Sequence, residues 1–407
     1  MSNVSPHVFP TYDFSLPMFV RGEGAYVYTE EGNRYIDLTS GIGVTCMGHS
    51  HPALVATLQE QSTQLWHLSN LFTDGRQERV AARLCEHSHA EQVFFCNSGS
   101  EAIEASIKLA RRYFQQRGQS ERYRIVAARH SFHGRTMTAI AASGQKKLTD
   151  GFAPLPSGFD HITFGVLEEA DRALTAHTAA VLIEPIQGEG GIHVADDVYL
   201  QGLATLCQQR GCLLIVDEVQ CGMGRSGKLF AHQWSAIKPN IIAMAKGLGG
   251  GFPVGACLAD KQTAQGFTKG SHGSTFGGNP LAMAVADKVL ELLFAKDFLP
   301  TMMGNAKKLH DGLTQLCQTY PQILHPWRGK GLMIGLPCVI GNHHVIEAFH
   351  QNNVLAVPAG CNVVRLLPPL TITAEVIAES LTAMDKACAQ LARDNQHLKQ
   401  SNKHSGA

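Results

Sequence analysis

No stretch of the 407-residue sequence approaches the roughly 18 continuous apolar residues of a membrane span, and the opening MSNVSPHVFPTYDF has no basic run followed by an apolar one. The protein is therefore expected to stay in the cytoplasm, away from the membrane. Charge of one sign is also missing: Lys plus Arg and Asp plus Glu both number 34, so no global field draws the chain to nucleic acid. The eleven cysteines, among them Cys85, Cys96, Cys207 and Cys212, are odd in number and contain no C-x-x-C pair. Neither a disulfide framework nor a zinc site is expected, and the thiols read as buried and reduced. Small metabolites remain as the expected partners.

What is present is a large supply of core: 44% of the residues are hydrophobic, enough at this length for two or three domains. Up to about Leu38, two strand-like runs, Gly24 to Tyr28 and Arg34 to Asp37, flank the turn-rich Glu30-Glu31-Gly32-Asn33 and read as a hairpin. From Gln92 to Ala259 short apolar runs alternate with helical patterns: Val93 to Phe95, Ile125 to Ala127, Val181 to Ile183, Leu213 to Val216 and Ile241 to Met244. Non-alternating runs separated by helices suit strands buried on both faces, so the pattern predicts an α/β domain with a mostly parallel sheet. Ligands in such a domain sit beyond the carboxyl ends of the strands. A helix over Ala282 to Phe294 and strands near Leu332 to Ile334 and Val363 to Leu366 predict a smaller α+β domain, and the polar end from Asn395 is expected to fray. The expected division is 1–60 as an N-terminal part of the small domain, 61–285 as the large domain, and 286–407 as the rest of the small one.

The chemistry stands at the strand ends. Leu213 to Val216 runs straight into Asp217, a carboxylate that is costly at the end of a buried strand without a cation or donors to meet it. Ile241 to Ala245 runs into Lys246 and then Gly247-Leu248-Gly249-Gly250-Gly251, where missing side chains permit close approach of a bulky ligand. Burial would lower the pKa of that lysine toward a nucleophilic amine. A third run, Val93 to Cys96, leads into Asn97-Ser98-Gly99-Ser100-Glu101, where Ser98 and Glu101 match a capping box and the helix start offers N–H groups to an anion. Each feature alone has an ordinary structural reading. Together they supply an anion cradle, a carboxylate for a ring nitrogen and an amine for an aldehyde, the three attachments of pyridoxal 5′-phosphate.

Rival motifs carry less. Gly222-Met223-Gly224-Arg225-Ser226-Gly227 matches G-x-G-x-x-G, but Asp217 and Glu218 before it would repel a pyrophosphate and no Rossmann helix start follows. His130-x-x-His133 and His49-x-His51 lack companion ligands, so no metal is expected. Ser143-x-x-Lys146 lacks the other penicillin-recognition motifs. A pyridoxal-phosphate-binding regulator would add a DNA-binding module, for which no basic segment is available.

The sequence resembles the class III (subgroup II) aminotransferases, and within them the acetylornithine aminotransferases. The resemblance runs through Phe19 to Gly24, Gly48-His49-Ser50-His51-Pro52, Phe94 to Ala102, Ser131-Phe132-His133-Gly134-Arg135, Ile183 to Gly191, Val216 to Gln220, Ala245-Lys246-Gly247 and Ser274 to Pro280. It implies the type I fold of pyridoxal-phosphate transferases. Lys246 would be the Schiff-base lysine and proton shuttle, and Asp217 would keep the pyridine nitrogen protonated. Gly99 and Ser100 would bind phosphate, Phe132 would cover one ring face, Val219 would pack against the ring and Gln220 would lie near its phenolic oxygen. Thr275 would reach the phosphate of a second subunit and Ser274 would touch substrate across that interface, which implies a homodimer with shared sites. Arg135 would hold a donor carboxylate. Arg365 would bind a carboxylate of 2-oxoglutarate and pair with Glu189 when the ω-amino donor is bound.

The implied reaction moves the ω-amino group of N2-acetyl-L-ornithine to 2-oxoglutarate, in arginine biosynthesis. Ornithine-specific relatives tend to carry an aromatic residue where this chain has Gly41-Ile42-Gly43, and the extra room suits an acylated donor. Val44-Thr45-Cys46-Met47 departs from the family's usual Val-Asn-Ala-Leu at the pocket edge. Succinylornithine, N-succinyl-diaminopimelate, ornithine and 4-aminobutyrate are alternative donors, and a pyridoxal-phosphate aminomutase or decarboxylase is the alternative of another class.

Overall fold

The computed structural model describes residues 7–12 and 16–404, with the backbone alone over 395–404. Among these, seven strands form a central sheet: β1 (Gln92–Cys96), β2 (Arg124–Ala128), β3 (Phe159–Ile162), β4 (Thr178–Ile183), β5 (Leu213–Asp217), β6 (Ile241–Met244) and β7 (Gly255–Ala259). Their order is β1-β7-β6-β5-β4-β2-β3. From β6 across to β3 neighbouring strands are parallel. Strand β7 runs antiparallel to both β6 and β1. The reversal follows from chain length: residues 245–254 are too few for the helical crossover of about a dozen residues that a parallel return requires.

Every residue of β4, β5, β6 and β7 is buried, as unbroken apolar runs demand when both faces of a sheet are covered. The edge strand β3 departs from that pattern. Its Asp160 makes a two-pronged contact with Arg124 on β2, Nε to Oδ2 at 2.7 Å, which suits a position open to water on one side. After β1 comes helix α1 (Gly99–Gln115), whose buried face includes the small residues Ala102, Ala105, Ser106 and Ala110. Their size lets α1 lie close against β6 and β7.

A second, antiparallel sheet joins Arg328–Lys330, Met333–Pro337, Val363–Leu366 and Val357–Ala359. It places Arg365 between Gly335 on one side and Val357 on the other. The N-terminal strands Phe19–Glu23, Tyr26–Thr29 and Arg34–Asp37 pair in sequence, and the last also pairs in parallel with Val354–Leu355. The start of the chain is thus hydrogen-bonded into its C-terminal third. Helix Pro280–Leu293 starts where Asn279 Oδ1 accepts from Ala282 N at 2.9 Å and Pro280 occupies the first turn. The last helix, Ala374–His404, continues through most of the polar end expected to fray; residues 405–407 lie outside the described residues. No helix among the described residues is long and apolar enough to cross a membrane.

Candidate active site

The carboxyl ends of β1, β5 and β6 converge on a cavity of about 310 Å³. Asp217, the last residue of β5, lines it. Its Oδ1 accepts from Val219 N at 3.0 Å, and its Oδ2 pairs with Nδ1 of the buried His133 at 2.8 Å. These bonds fix the carboxylate's orientation in a site where water cannot. With its Nδ1 committed to Asp217, His133 keeps an Nε2 that is buried without a partner among the described residues.

Two residues beyond β6, Lys246 opens a short 3₁₀ turn with φ at +45°, a left-handed conformation that costs a side-chain-bearing residue about 1–3 kcal/mol. Burial, with the charge of Arg365 adding, pulls its amine down to about 8, against the opposing carboxylates of Glu189, Asp217 and Glu184. On the order of a tenth of the amine is therefore neutral near pH 7, against less than about a thousandth for an ordinary lysine, which is what a nucleophilic and proton-carrying amine needs.

The end of β1 supplies the anion cradle. Ser98 Oγ accepts from Glu101 N at 3.2 Å, half of the expected capping box. The reciprocal bond is displaced by one residue: Glu101 Oε2 accepts from the backbone N and from Nδ2 of Asn97, the latter at 2.9 Å, and not from Ser98. The first bond of α1 runs from Ala102 N to Ser98 O, so the N–H groups of Gly99 and Ser100 precede the ladder at the positive helix end. Both residues line the cavity. A Cβ at position 99 would stand 2.7 Å from Val219 Cγ1, so only glycine keeps this floor intact. Phe132, Val219 and Gln220 also line the cavity, as does Glu184, which accepts from Phe132 N at 3.1 Å. Burial first, then the charge of Asp217, holds the Glu184 carboxyl well above the usual range.

Arg365 is 2% exposed. Its Nη1 contacts Glu189 Oε1 in an ion pair and donates to Gln220 Oε1 at 3.0 Å, while Nη2 donates to Pro358 O at 3.3 Å. Neither Arg365 nor Glu189 is part of the cavity wall itself, and three other expected residues also stand apart from it. Arg135 is exposed; its backbone N donates to Ser100 Oγ at 3.2 Å and its guanidinium lies 5.7 Å from the Phe132 ring centre. Ser274 and Thr275 line a neighbouring depression shared with Asn97 and Glu101, and Thr275 is exposed.

These residues fit pyridoxal 5′-phosphate. The glycine-floored helix end suits the phosphate, the Asp217 carboxylate, held on the cavity wall by Val219 N and His133, suits a ring nitrogen, and the lowered amine of Lys246 suits the aldehyde. A family model described as aminotransferase class-III matches residues 10–388. The chain belongs to the class III aminotransferases. Acetylornithine aminotransferase of Brucella melitensis is 47% identical over 388 residues, covering 95% of this chain and 96% of the relative. That of Mesorhizobium japonicum is 50% identical over 374 residues, covering 92% and 94%. Among solved structures, N-acetylornithine aminotransferase from Stenotrophomonas maltophilia superposes with a TM-score of 0.83 at 36% identity, covering 93% of this chain and 97% of that one. Ornithine aminotransferase from Toxoplasma gondii gives 0.91 at 29% identity, covering 95% and 94%. As a class III aminotransferase the chain is a pyridoxal-phosphate transaminase of the type I fold, working on an amino donor and a keto acid.

Two residues of this aminotransferase's cavity carried no role in the sequence. His133 and Glu184 sit inside motifs that mark the family, yet nothing local says that 133 will meet 217, or that 184 will close the wall beside Phe132. One member of each histidine pair that might have suggested a metal is engaged in a protein contact: His133 with Asp217, and His49 Nε2 with Asp37 Oδ2 at 2.7 Å.

Proposed function

We propose that this aminotransferase moves the ω-amino group of N2-acetyl-L-ornithine to 2-oxoglutarate, giving N-acetylglutamate 5-semialdehyde and glutamate. The observation that carries the reading is the identity of 47% and 50%, over nearly the full chain, to enzymes bearing the name acetylornithine aminotransferase. The ion pair of the half-buried Glu189 with the buried Arg365 supports it. A two-substrate pocket must accept a donor with no carboxylate near its reacting carbon and an acceptor that has one. With Glu189 on Arg365 the guanidinium is neutralised for the first; with Glu189 swung away it can clamp the carboxylate of the second.

Pyridoxal phosphate, when bound, supplies the electron sink that lets a carbon next to nitrogen lose its proton. Lys246 Nζ takes that proton and returns it, which its lowered pKa permits near neutrality. Asp217 holds a proton on the ring nitrogen, oriented by Val219 N and His133. Gly99 and Ser100 would hold the phosphate, Phe132 would cover one ring face, Val219 would pack against the ring and Gln220 would lie near its phenolic oxygen. Arg135 meets a donor carboxylate.

Measuring kcat/KM for N-acetylornithine, succinylornithine, N-succinyl-diaminopimelate, ornithine and 4-aminobutyrate tests the donor. N-Acetylornithine is expected to lead plain ornithine and 4-aminobutyrate by at least the 10-fold or so that one well-fitted apolar group contributes. A lead by either of the last two sinks the assignment.

We also propose that the working unit is a cytoplasmic homodimer, divided at 1–60, 61–285 and 286–407 within each chain, in which Thr275 and Ser274 serve the partner's site. The exposure of Trp66, Leu71, Phe72 and Phe276, with Leu71 at 86%, supports an apolar face that a second subunit covers. Light scattering should give twice the chain's 44.0 kDa, and a single-chain mass would refute the pairing.

A further inference from the structure

On the side of the sheet away from the cavity, helix Asp197–Arg210 hands over to β5 through a turn in which Gly211 adopts φ +63°. Cys212 N donates to Cys207 O at 3.0 Å and Gly211 N to Gln208 O at 3.3 Å, the paired bonds of a Schellman motif. That motif brings the side chain three residues inside the helix end against the side chain two residues past it. Here both are cysteines. Apolar packing would account for one such residue. It does not account for a thiol hydrogen bond between two, with Arg122 and Arg210 beside them.

Arg122 is fixed by Nη2 on Arg210 O at 2.9 Å and Nε on Thr178 O at 3.1 Å, and a Cβ on Gly211 would lie 3.5 Å from its Nη1. The hydrogen bond from Cys207 foremost, and then these cations, hold the Cys212 thiol below its ordinary value. The same bond, with burial, holds Cys207 up. Two thiols in contact beside a fixed cation are the arrangement of a thiol pair rather than of two packed hydrophobes. Both residues are buried, at 2% and 6% exposure, and line a depression of about 450 Å³ with Gln208, Lys238 and Asn240, which is the path by which a small reagent would come to them.

We propose that Cys207 and Cys212 form a vicinal dithiol site, which closes to a disulfide under a peroxide oxidant and takes trivalent arsenic across its two sulfurs. In the oxidation, the Cys212 thiolate attacks one oxygen of hydrogen peroxide, the O–O bond breaks and hydroxide leaves, giving a sulfenic acid. The Cys207 sulfur then attacks that sulfur, the S–O bond breaks, and water leaves with the Cys207 proton. Two thiols lose two electrons and two protons, and one peroxide becomes two waters. With phenylarsine oxide no electrons move: two S–H bonds are exchanged for two As–S bonds and one water is released.

The test uses the purified holoenzyme. After treatment with hydrogen peroxide at a small molar excess, unreacted thiols are alkylated under denaturing conditions and peptides are mapped by mass spectrometry. Cys207 and Cys212 are expected to disappear together into one peptide 2 Da lighter, restored by dithiothreitol, ahead of the exposed Cys361. Phenylarsine oxide at one equivalent should block that loss. In Cys212→Ser, Cys207 should stay reduced under the same exposure and bind no arsenical. Oxidation of Cys212 beyond the sulfenic acid while Cys207 stays alkylatable, or oxidation of Cys361 before either, would overturn the proposal.

Discussion

Lys246→Ala is expected to lower turnover by about 10⁴-fold or more and to remove the visible absorption of the bound cofactor. Both effects follow from one atom. The amine is the group in the cavity with a pKa drawn down to about 8, so it is both the nucleophile available to an aldehyde and the base available to an acidic carbon. Water is a poor replacement in a wall built from Phe132, Val219, Gly251 and Phe252. In the unaltered protein stripped of cofactor, the rate of cofactor attachment should rise about tenfold per pH unit as the amine deprotonates, then level off above about pH 8. The sign follows from the direction of the shift: an ordinary lysine would still be climbing at pH 10. Spectral titration checks both points, and a Lys246→Ala protein that retains full turnover would refute the assignment.

Asp217→Ala is expected to cost about 10²–10³-fold in kcat, roughly 3–4 kcal/mol of transition-state stabilisation, with a smaller change in KM. The carboxylate lies at the end of a fully buried strand, where its charge is worth far more than in water. Its removal also strips His133 of the partner at Nδ1, and it relieves the neighbouring charge that helps hold the Glu184 carboxyl above its ordinary value. Asp217→Asn preserves shape and can still accept from Val219 N, but it turns a donor toward His133 Nδ1, so its loss reports the charge together with that one bond. Steady-state kinetics of the two variants separates these contributions; equal and near-normal kcat in both would show that the charge at 217 does nothing in the reaction.

Much of this site was legible before any fold was known, because the sequence interrupts apolar runs with charge at the places where strands end. Asp217 and Lys246 are unusual neighbours for Leu213 to Val216 and Ile241 to Met244, and the physical cost of burying them makes them conspicuous. His133 was not legible in that way. Its partner is 84 residues distant, and only the packing of the loop after β2 against the end of β5 brings them to 2.8 Å. The reversed strand β7 was equally hidden, since an apolar run carries no sign of direction; the short chain segment before it decides that. The displaced capping bond of Glu101 has the same origin, because a spacing of three residues cannot distinguish Ser98 N from Asn97 N as the donor. Ser274 and Thr275 lie beside the cavity without entering it, so their proposed roles depend on a partner surface that one chain does not contain.

The backbone at Lys246 carries a consequence for evolution of this enzyme. With φ at +45°, the position favours glycine, the residue type that follows it at 247, 249, 250 and 251. A glycine there would relax the turn and discard a desolvated amine, and in the cofactor-free protein it is expected to raise the melting temperature while ending turnover. Thermal robustness and turnover therefore pull on this one codon in opposite directions, and screens that reward heat resistance alone will select inactive sequences at it.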